Sequence, residues 1–150
     1  MSQVDVPTSI GYALKRAAVA LRVAMDAELR ECELSVAQYA SLELLALHPG
    51  LTNAELARGV FVTRQATHQL LSGLRHAGLI KIEGAGRKQR VVMTKIGAAR
   101  LAEASSRVAV IEQRMLAPLS ARRQAELLGS LTSCIEALSD GHEPPGLPQR

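Results

Sequence analysis

The sequence predicts a mainly α-helical fold with one small β-hairpin, and three observations point to it. The 150 residues contain no Trp, one Phe and two Tyr. The apolar content is therefore carried by Ala, Leu and Val, which suit closely apposed helices better than an aromatic-rich sheet or barrel. Apolar residues recur at helical spacing along most of the chain. Only around residues 79–93 does the pattern shorten, to two apolar-rich runs on either side of a Gly-rich basic turn.

Taken in order, residues 8–31 read as a long first helix whose face is traced by Ile10, Leu14, Ala17, Leu21, Ala24 or Met25, and Glu28-Leu29. Ser35 and Gln38 form a capping box: the hydroxyl takes a free backbone N–H and the amide side chain reaches back. The second helix opens there and stops at His48-Pro49-Gly50, where Pro and Gly both oppose continuation. Thr52 and Glu55 make a second capping box for a short third helix. Thr63 is the expected N-cap of the fourth, which ends at Gly78. Residues 79–83 and 90–93 form the hairpin, with Gly84-Ala85-Gly86-Arg87-Lys88-Gln89 as its tip. Thr94 caps a fifth helix over 95–117, ended by Pro118, and Ser120 opens a sixth that runs to Leu138. Residues 139–150 carry too much Pro and Gly to pack and are expected to be disordered. At this length one domain is the default, and no internal repeat is present.

The third and fourth helices carry the functional information. The third places Leu56 and Ala57 inward and Glu55 and Arg58 outward. In the fourth, Ala66, Leu70 and Leu74 form an apolar stripe, leaving Arg64, Gln65, His68 and Gln69 on the other face of its first two turns. Those side chains can donate to or accept from base edges. Two short helices, a tight turn at residues 59–62 and a polar leading face make a helix-turn-helix suited to a DNA major groove. Thr63 is read as a cap that also touches a phosphate.

The charge agrees. Between Thr52 and Lys95 there are eight basic residues and two acidic ones, an excess of six, whereas the rest of the chain holds ten basic and twelve acidic. The overall net charge of +4 conceals one concentrated patch of the kind phosphate binding requires. The alternative is a solvated basic surface, but here the charge coincides with the helix-turn-helix.

Other classes find little support. No apolar run is long enough to span a bilayer and Met1 opens no secretory signal, so a soluble cytoplasmic protein without membrane contact is expected. There is no paired-carboxylate, nucleophile–His or metal-ligand pattern, hence no catalytic residue, metal or cofactor. Gly84 and Gly86 permit a turn and lack the strand-to-helix setting of a phosphate loop. Cys32 and Cys134 lie far apart and are expected to be reduced thiols, with a thiol switch as the alternative. His48 is a turn residue, and His76 is expected to be exposed near a helix end.

The long terminal helices need a partner surface. Leu101, Val108 and Met115 recur every seven residues with Ala104 and Ile111 between them, a coiled-coil-like seam. The sixth helix has a broad apolar face that includes Leu127, Leu131, Ile135 and Leu138. An intramolecular bundle would satisfy them. A homodimer would also set two recognition helices about one DNA turn apart.

In this order, the residues resemble the multiple-antibiotic-resistance regulator (MarR) family of winged helix-turn-helix transcription factors. The resemblance rests on Leu34-Ser35-Val36-Ala37-Gln38-Tyr39, Thr52-Asn53-Ala54-Glu55-Leu56-Ala57, Thr63-Arg64, Leu74 to Ile80, and Met93-Thr94-Lys95-Ile96-Gly97, and covers residues 8–138. It implies an obligate dimer held by residues 8–31 and 95–138, a DNA-binding lobe over 35–94, and a pseudo-palindromic operator in double-stranded DNA. It also implies a wing arginine in the minor groove, here Arg87, supported by Lys88 and Arg90. The family usually has an Asp before that Arg, where this chain has Ala85-Gly86, which puts the wing's rigidity in question. Members often bind small aromatic or phenolic acids between the dimer helices and the reading unit. By location Tyr12, Arg16, Tyr39 and His68 would line that cavity, although Tyr39 also reads as core, and an aliphatic effector or none is equally open. Some relatives sense peroxide through a first-helix cysteine, a position Cys32 does not match. The expected function is a dimeric, ligand-responsive repressor. The alternative is a winged-helix interaction module that does not bind DNA.

Overall fold

The computed structural model describes residues 3, 5–60 and 63–139, so residues 140–150 of the expected tail and the last two residues of the turn before the fourth helix lie outside it, while Ser139 caps the end of the sixth helix. Six helices and one hairpin follow the expected order: α1 Ile10–Arg30, α2 Val36–Leu47, α3 Asn53–Gly59, α4 Arg64–His76, β1 Ile80–Glu83, β2 Arg90–Met93, α5 Lys95–Leu116 and α6 Ala121–Leu138.

Every one of these helices starts on a Ser or Thr whose hydroxyl accepts a backbone N–H three residues on. The caps are Ser9, Ser35, Thr52, Thr63, Thr94 and Ser120. Each such cap stabilises its helix by about 1 kcal/mol relative to Ala. Both predicted capping boxes form. Gln38 Oε1 accepts the Ser35 N–H at 2.9 Å, and Glu55 Oε1 accepts the Thr52 N–H at 3.3 Å. α1 begins at Ile10, two residues later than the expected residue 8, because Ser9 supplies the cap and a 3-10 turn, Val6–Thr8, containing Pro7 precedes it.

Ends are set by left-handed residues. Gly78, at φ 75°, closes α4, and the Leu79 N–H donates to the Leu74 carbonyl at 3.0 Å. Glu33 takes the same region at φ 55° in the α1–α2 turn, while Leu34 N–H reaches back to Leu29. β1 and β2 pair antiparallel with Ile80 opposite Met93 and Ile82 opposite Val91. The Val91 N–H also donates to the Leu51 carbonyl at 2.8 Å, which fastens the hairpin to the α2–α3 turn.

The core lies where the end of α1, α2, α3, α4, the hairpin base and the first half of α5 meet. Leu29, Leu42, Leu56, Leu74, Val91 and Ala104 are all fully buried there. At its lower edge α5 passes so close to the α4–β1 turn that residue 97 must be Gly: a Cβ would run into the Leu79 carbonyl and the Met93 side chain. The long helices contrast with this. α1 buries only Leu29 and α6 buries nothing, while Ile10, Val19, Val23, Val110, Leu128 and Ile135 stand exposed. Among the described residues no helix is long and apolar enough to cross a membrane.

Candidate nucleic-acid interface

α4 is held by its inward face. That face is rotated by one residue from the expected stripe: Thr67, Leu71 and Leu74 are the buried positions, and Ala66 and Leu70 flank them half-buried. Thr67 reads as polar in sequence. It is buried without cost to its hydroxyl, which donates to the Thr63 carbonyl at 2.8 Å and leaves the methyl to pack. Leu71 takes the place expected for Leu70.

Outward, Gln65, His68 and Gln69 are solvent-exposed, as predicted. With about 100° between residues, Gln65 and Gln69 fall opposite the buried face, and His68 turns to its flank. The Thr63 hydroxyl accepts the Ala66 N–H at 3.1 Å, so it acts as a cap on an exposed residue. Arg64 opens α4, but its side chain lies outside the described residues.

The wing brings its cations forward. Gly84 to Arg90 are all exposed, and a 3-10 turn, Gly86–Lys88, forms the tip. Lys88 N–H donates to Ala85 at 3.1 Å and Gln89 N–H to Gly86 at 3.3 Å. These backbone bonds close a tip that lacks the family's Asp. Gly84 is needed for that closure: it sits at φ 86°, and a Cβ there would come within 2.5 Å of the Lys88 carbonyl oxygen.

The predicted cations do not act alike. Arg87 and Lys88 make no ion pair among the described residues. Arg90 instead lies back along the wing, beside Gly50, and its charge reaches Glu55. The Glu55 carboxyl is held below its ordinary range, first by the Thr52 hydroxyl and then, more weakly, by Arg90 and Arg58. Lys81 is occupied by Glu83 at 2.9 Å.

Sequence reading missed one feature of this face. Between α3, α4 and the wing lies a cleft of about 340 Å³ walled by Asn53, His68, Ser72, Arg75 and Gln89 over a floor of Leu71 and Ile82. Arg75 was counted in the basic patch but not singled out. No linear signal marks the cleft, because its residues come from four separate stretches of chain.

The other candidates separate. Tyr39 is core, 4% exposed. Its hydroxyl donates to Glu43 Oε1 at 2.6 Å, with Ser105 Oγ at 3.4 Å. Burial and then the bond to Glu43 push its pKa up to about 12. Tyr12 and Arg16 are exposed on α1 and engage one another, the guanidinium 6.0 Å from the ring centroid. Cys32 is buried and Cys134 exposed, and both are free. Burial raises the Cys32 pKa, with Glu103 adding to it, which leaves little reactive thiolate. Among the described residues no cluster of His, Cys, Asp and Glu is arranged to hold a metal ion.

Comparison with known proteins gives a consistent picture. No family model matches the chain. It is 34% identical over 125 residues to the HTH-type transcriptional repressor Rv2887 of Mycobacterium tuberculosis, covering 81% of this chain and 88% of that protein. The crystal structure of the M. tuberculosis MarR family protein Rv2887 in complex with DNA superposes with a TM-score of 0.73 at 32% identity, covering 85% of this chain and 98% of the other. The same protein in complex with salicylic acid gives 0.71 at 32% identity, over 85% and 96%. The transcriptional repressor CouR bound to a 23-mer DNA duplex gives 0.79 at 27% identity, over 89% and 97%.

Proposed function

The chain belongs to the MarR family of winged helix-turn-helix regulators, and from that premise we propose a dimeric repressor that reads a pseudo-palindromic operator and releases it to a small acidic effector. The observation that carries the reading is the exposed row Gln65, His68 and Gln69 on α4, set beside a wing whose Arg87 and Lys88 make no ion pair among the described residues. In this assignment α4 enters the major groove with Arg64, Gln65, His68 and Gln69 at base edges and Thr63 at a phosphate. Arg87 enters the adjacent minor groove, Lys88 meets its backbone, and Arg90 secures the wing against the α3 cap.

Dimerisation falls to α1, α5 and α6, whose exposed apolar side chains, Val19, Val110 and Leu128 among them, have no cover among the described residues. The DNA complexes of Rv2887 and CouR support double-stranded DNA as the partner, and the Rv2887 complex with salicylic acid supports a small acid as effector. Tyr12 and Arg16 are the residues assigned to that effector, whereas Tyr39 is core, with its hydroxyl bonded to Glu43. The reading gives the chain no catalytic step and no cofactor.

Selection of bound duplexes from a random pool tests it. Recovery of an inverted repeat with half-sites about one helical turn apart is expected. Recovery of no sequence, together with no shift on genomic fragments, would leave the interaction-module reading in its place.

A further inference from the structure

The cleft between α4 and the wing has a consequence for how the duplex is held. With α4 in the major groove and Arg87 in the neighbouring minor groove, the one sugar–phosphate strand dividing those grooves must pass between helix and wing. The cleft lies on that path. Its walls carry a guanidinium, an imidazole, a hydroxyl and two amides, and no carboxylate. Arg75 makes no ion pair among the described residues, so its charge is available. It lies eleven residues beyond Arg64, about 16 Å along the helix, which removes it from the end that meets base edges.

We propose that Arg75, assisted by Ser72 and Gln89, seats a backbone phosphodiester of the strand that separates the two grooves. The inference rests on the DNA-binding reading above and adds to it a positioning contact that fixes α4 and the wing in register on the same strand. A guanidinium at such a rim contributes affinity without sequence preference, because every step presents the same phosphate.

The test is a chemical double-mutant cycle on the full-length protein. The operator is synthesised with single neutral methylphosphonate linkages placed in turn along each strand, and binding is measured for wild type, Arg75→Ala and Arg75→Lys. In Arg75→Ala, affinity for matched and scrambled duplexes is expected to fall by the same factor, and the salt slope to become shallower by about 0.9 per protomer. One neutral linkage per half-site should weaken wild type and have no further effect on Arg75→Ala. Arg75→Lys should recover most of the charge-dependent slope. Additive losses at every linkage, an unchanged slope, or a loss confined to the matched duplex would overturn the assignment. So would tight binding of inorganic phosphate that Arg75→Ala abolishes while the DNA slope stays the same. Absence of any salt-dependent binding by wild type would instead sink the DNA-binding reading itself, so the two failures are distinguishable. Arg75 is exposed, and unchanged circular dichroism of the variants completes the comparison.

Discussion

Raising monovalent salt from about 50 to about 200 mM is expected to weaken operator binding by about a thousand-fold. The magnitude follows from counting only the three cations assigned above to the duplex backbone and minor groove, Arg75, Arg87 and Lys88. Lys81 is paired with Glu83, whereas Arg90 is exposed and makes no ion pair among the described residues. Arg75, Arg87 and Lys88 face solvent without a carboxylate partner among the described residues. Three cations per protomer become six in a dimer, and at about 0.9 counterions released per phosphate neutralised the logarithmic slope is about −5.4. A four-fold rise in salt then costs about three decades of affinity, and any phosphate contact by Arg64 or Arg90 steepens the slope. Fluorescence anisotropy of a labelled duplex across five or six salt concentrations measures it. Replacing both Arg87 and Lys88 by Ala should reduce the slope by about 3.6 for the dimer, on the same counting. A wild-type slope shallower than about −2, or a double variant with the wild-type slope, would refute the allocation of charges to the duplex.

Four further outcomes are expected. Gly97→Ala forces a Cβ against the Leu79 backbone carbonyl, which cannot swing aside, and should lower stability by about 1–3 kcal/mol; an unchanged urea midpoint would contradict that close approach. Iodoacetamide at neutral pH should modify Cys32 far more slowly in the folded protein than after urea unfolding, because burial hides the thiol and raises its pKa, as peptide mass mapping would read out; equal rates in the two states would contradict that burial. Because the folded pKa of Glu55 lies below its unfolded value, its contribution to stability is present above the ordinary glutamate range and is lost as pH falls through the folded pKa. Glu55→Gln should therefore be less stable than wild type at pH 7 and approach it at acid pH, and a gap that stays constant would remove the assigned cause. Finally, thermal midpoints should rise with protein concentration, since the proposed dimer would cover the exposed apolar side chains of α1 and α6 with a second copy; a midpoint independent of concentration would argue for a self-sufficient protomer.

How far the sequence could be read depended on how local the determining chemistry was. Capping is decided within four residues, so Ser35 with Gln38 and Thr52 with Glu55 marked their helix starts correctly. The existence of the hairpin and its basic tip followed from two short apolar runs and two glycines, whereas its register did not. Face assignment on α4 was less secure, because Thr67 is buried by virtue of a bond to Thr63 that hydropathy does not register. The cleft was illegible for a different reason: Asn53, Arg75 and Gln89 meet only after α3, α4 and the hairpin have packed. Tyr39 illustrates the converse. Its type suggested a ligand contact, and the fold commits its hydroxyl to Glu43 and its ring to the core.

Those packing details bear on how an effector can act from a distance. Thr94 caps α5 through the Gly97 N–H at 3.0 Å and donates its own hydroxyl proton to the Gly78 carbonyl at 2.6 Å, joining the end of α4 to the start of α5. Farther along α5, Arg100 donates to the Cys32 carbonyl at 3.1 Å and Arg107 pairs with Glu28 at 3.3 Å, fixing α5 to the end of α1. The recognition helix is thus tied through α5 to the long helices, and a shift of those helices relative to the partner copy carries α4 with it. Binding alone does not produce such a shift: a ligand with equal affinity for both spacings moves no population, and only its preference for the DNA-incompatible spacing weakens the operator complex. The contacts that matter are therefore those whose surroundings change when the protomers move. In the proposed dimer, Tyr12 and Arg16, exposed on α1 and in contact with one another, would meet that condition. Tyr39, whose hydroxyl is held between Glu43 and Ser105 within one protomer, does not.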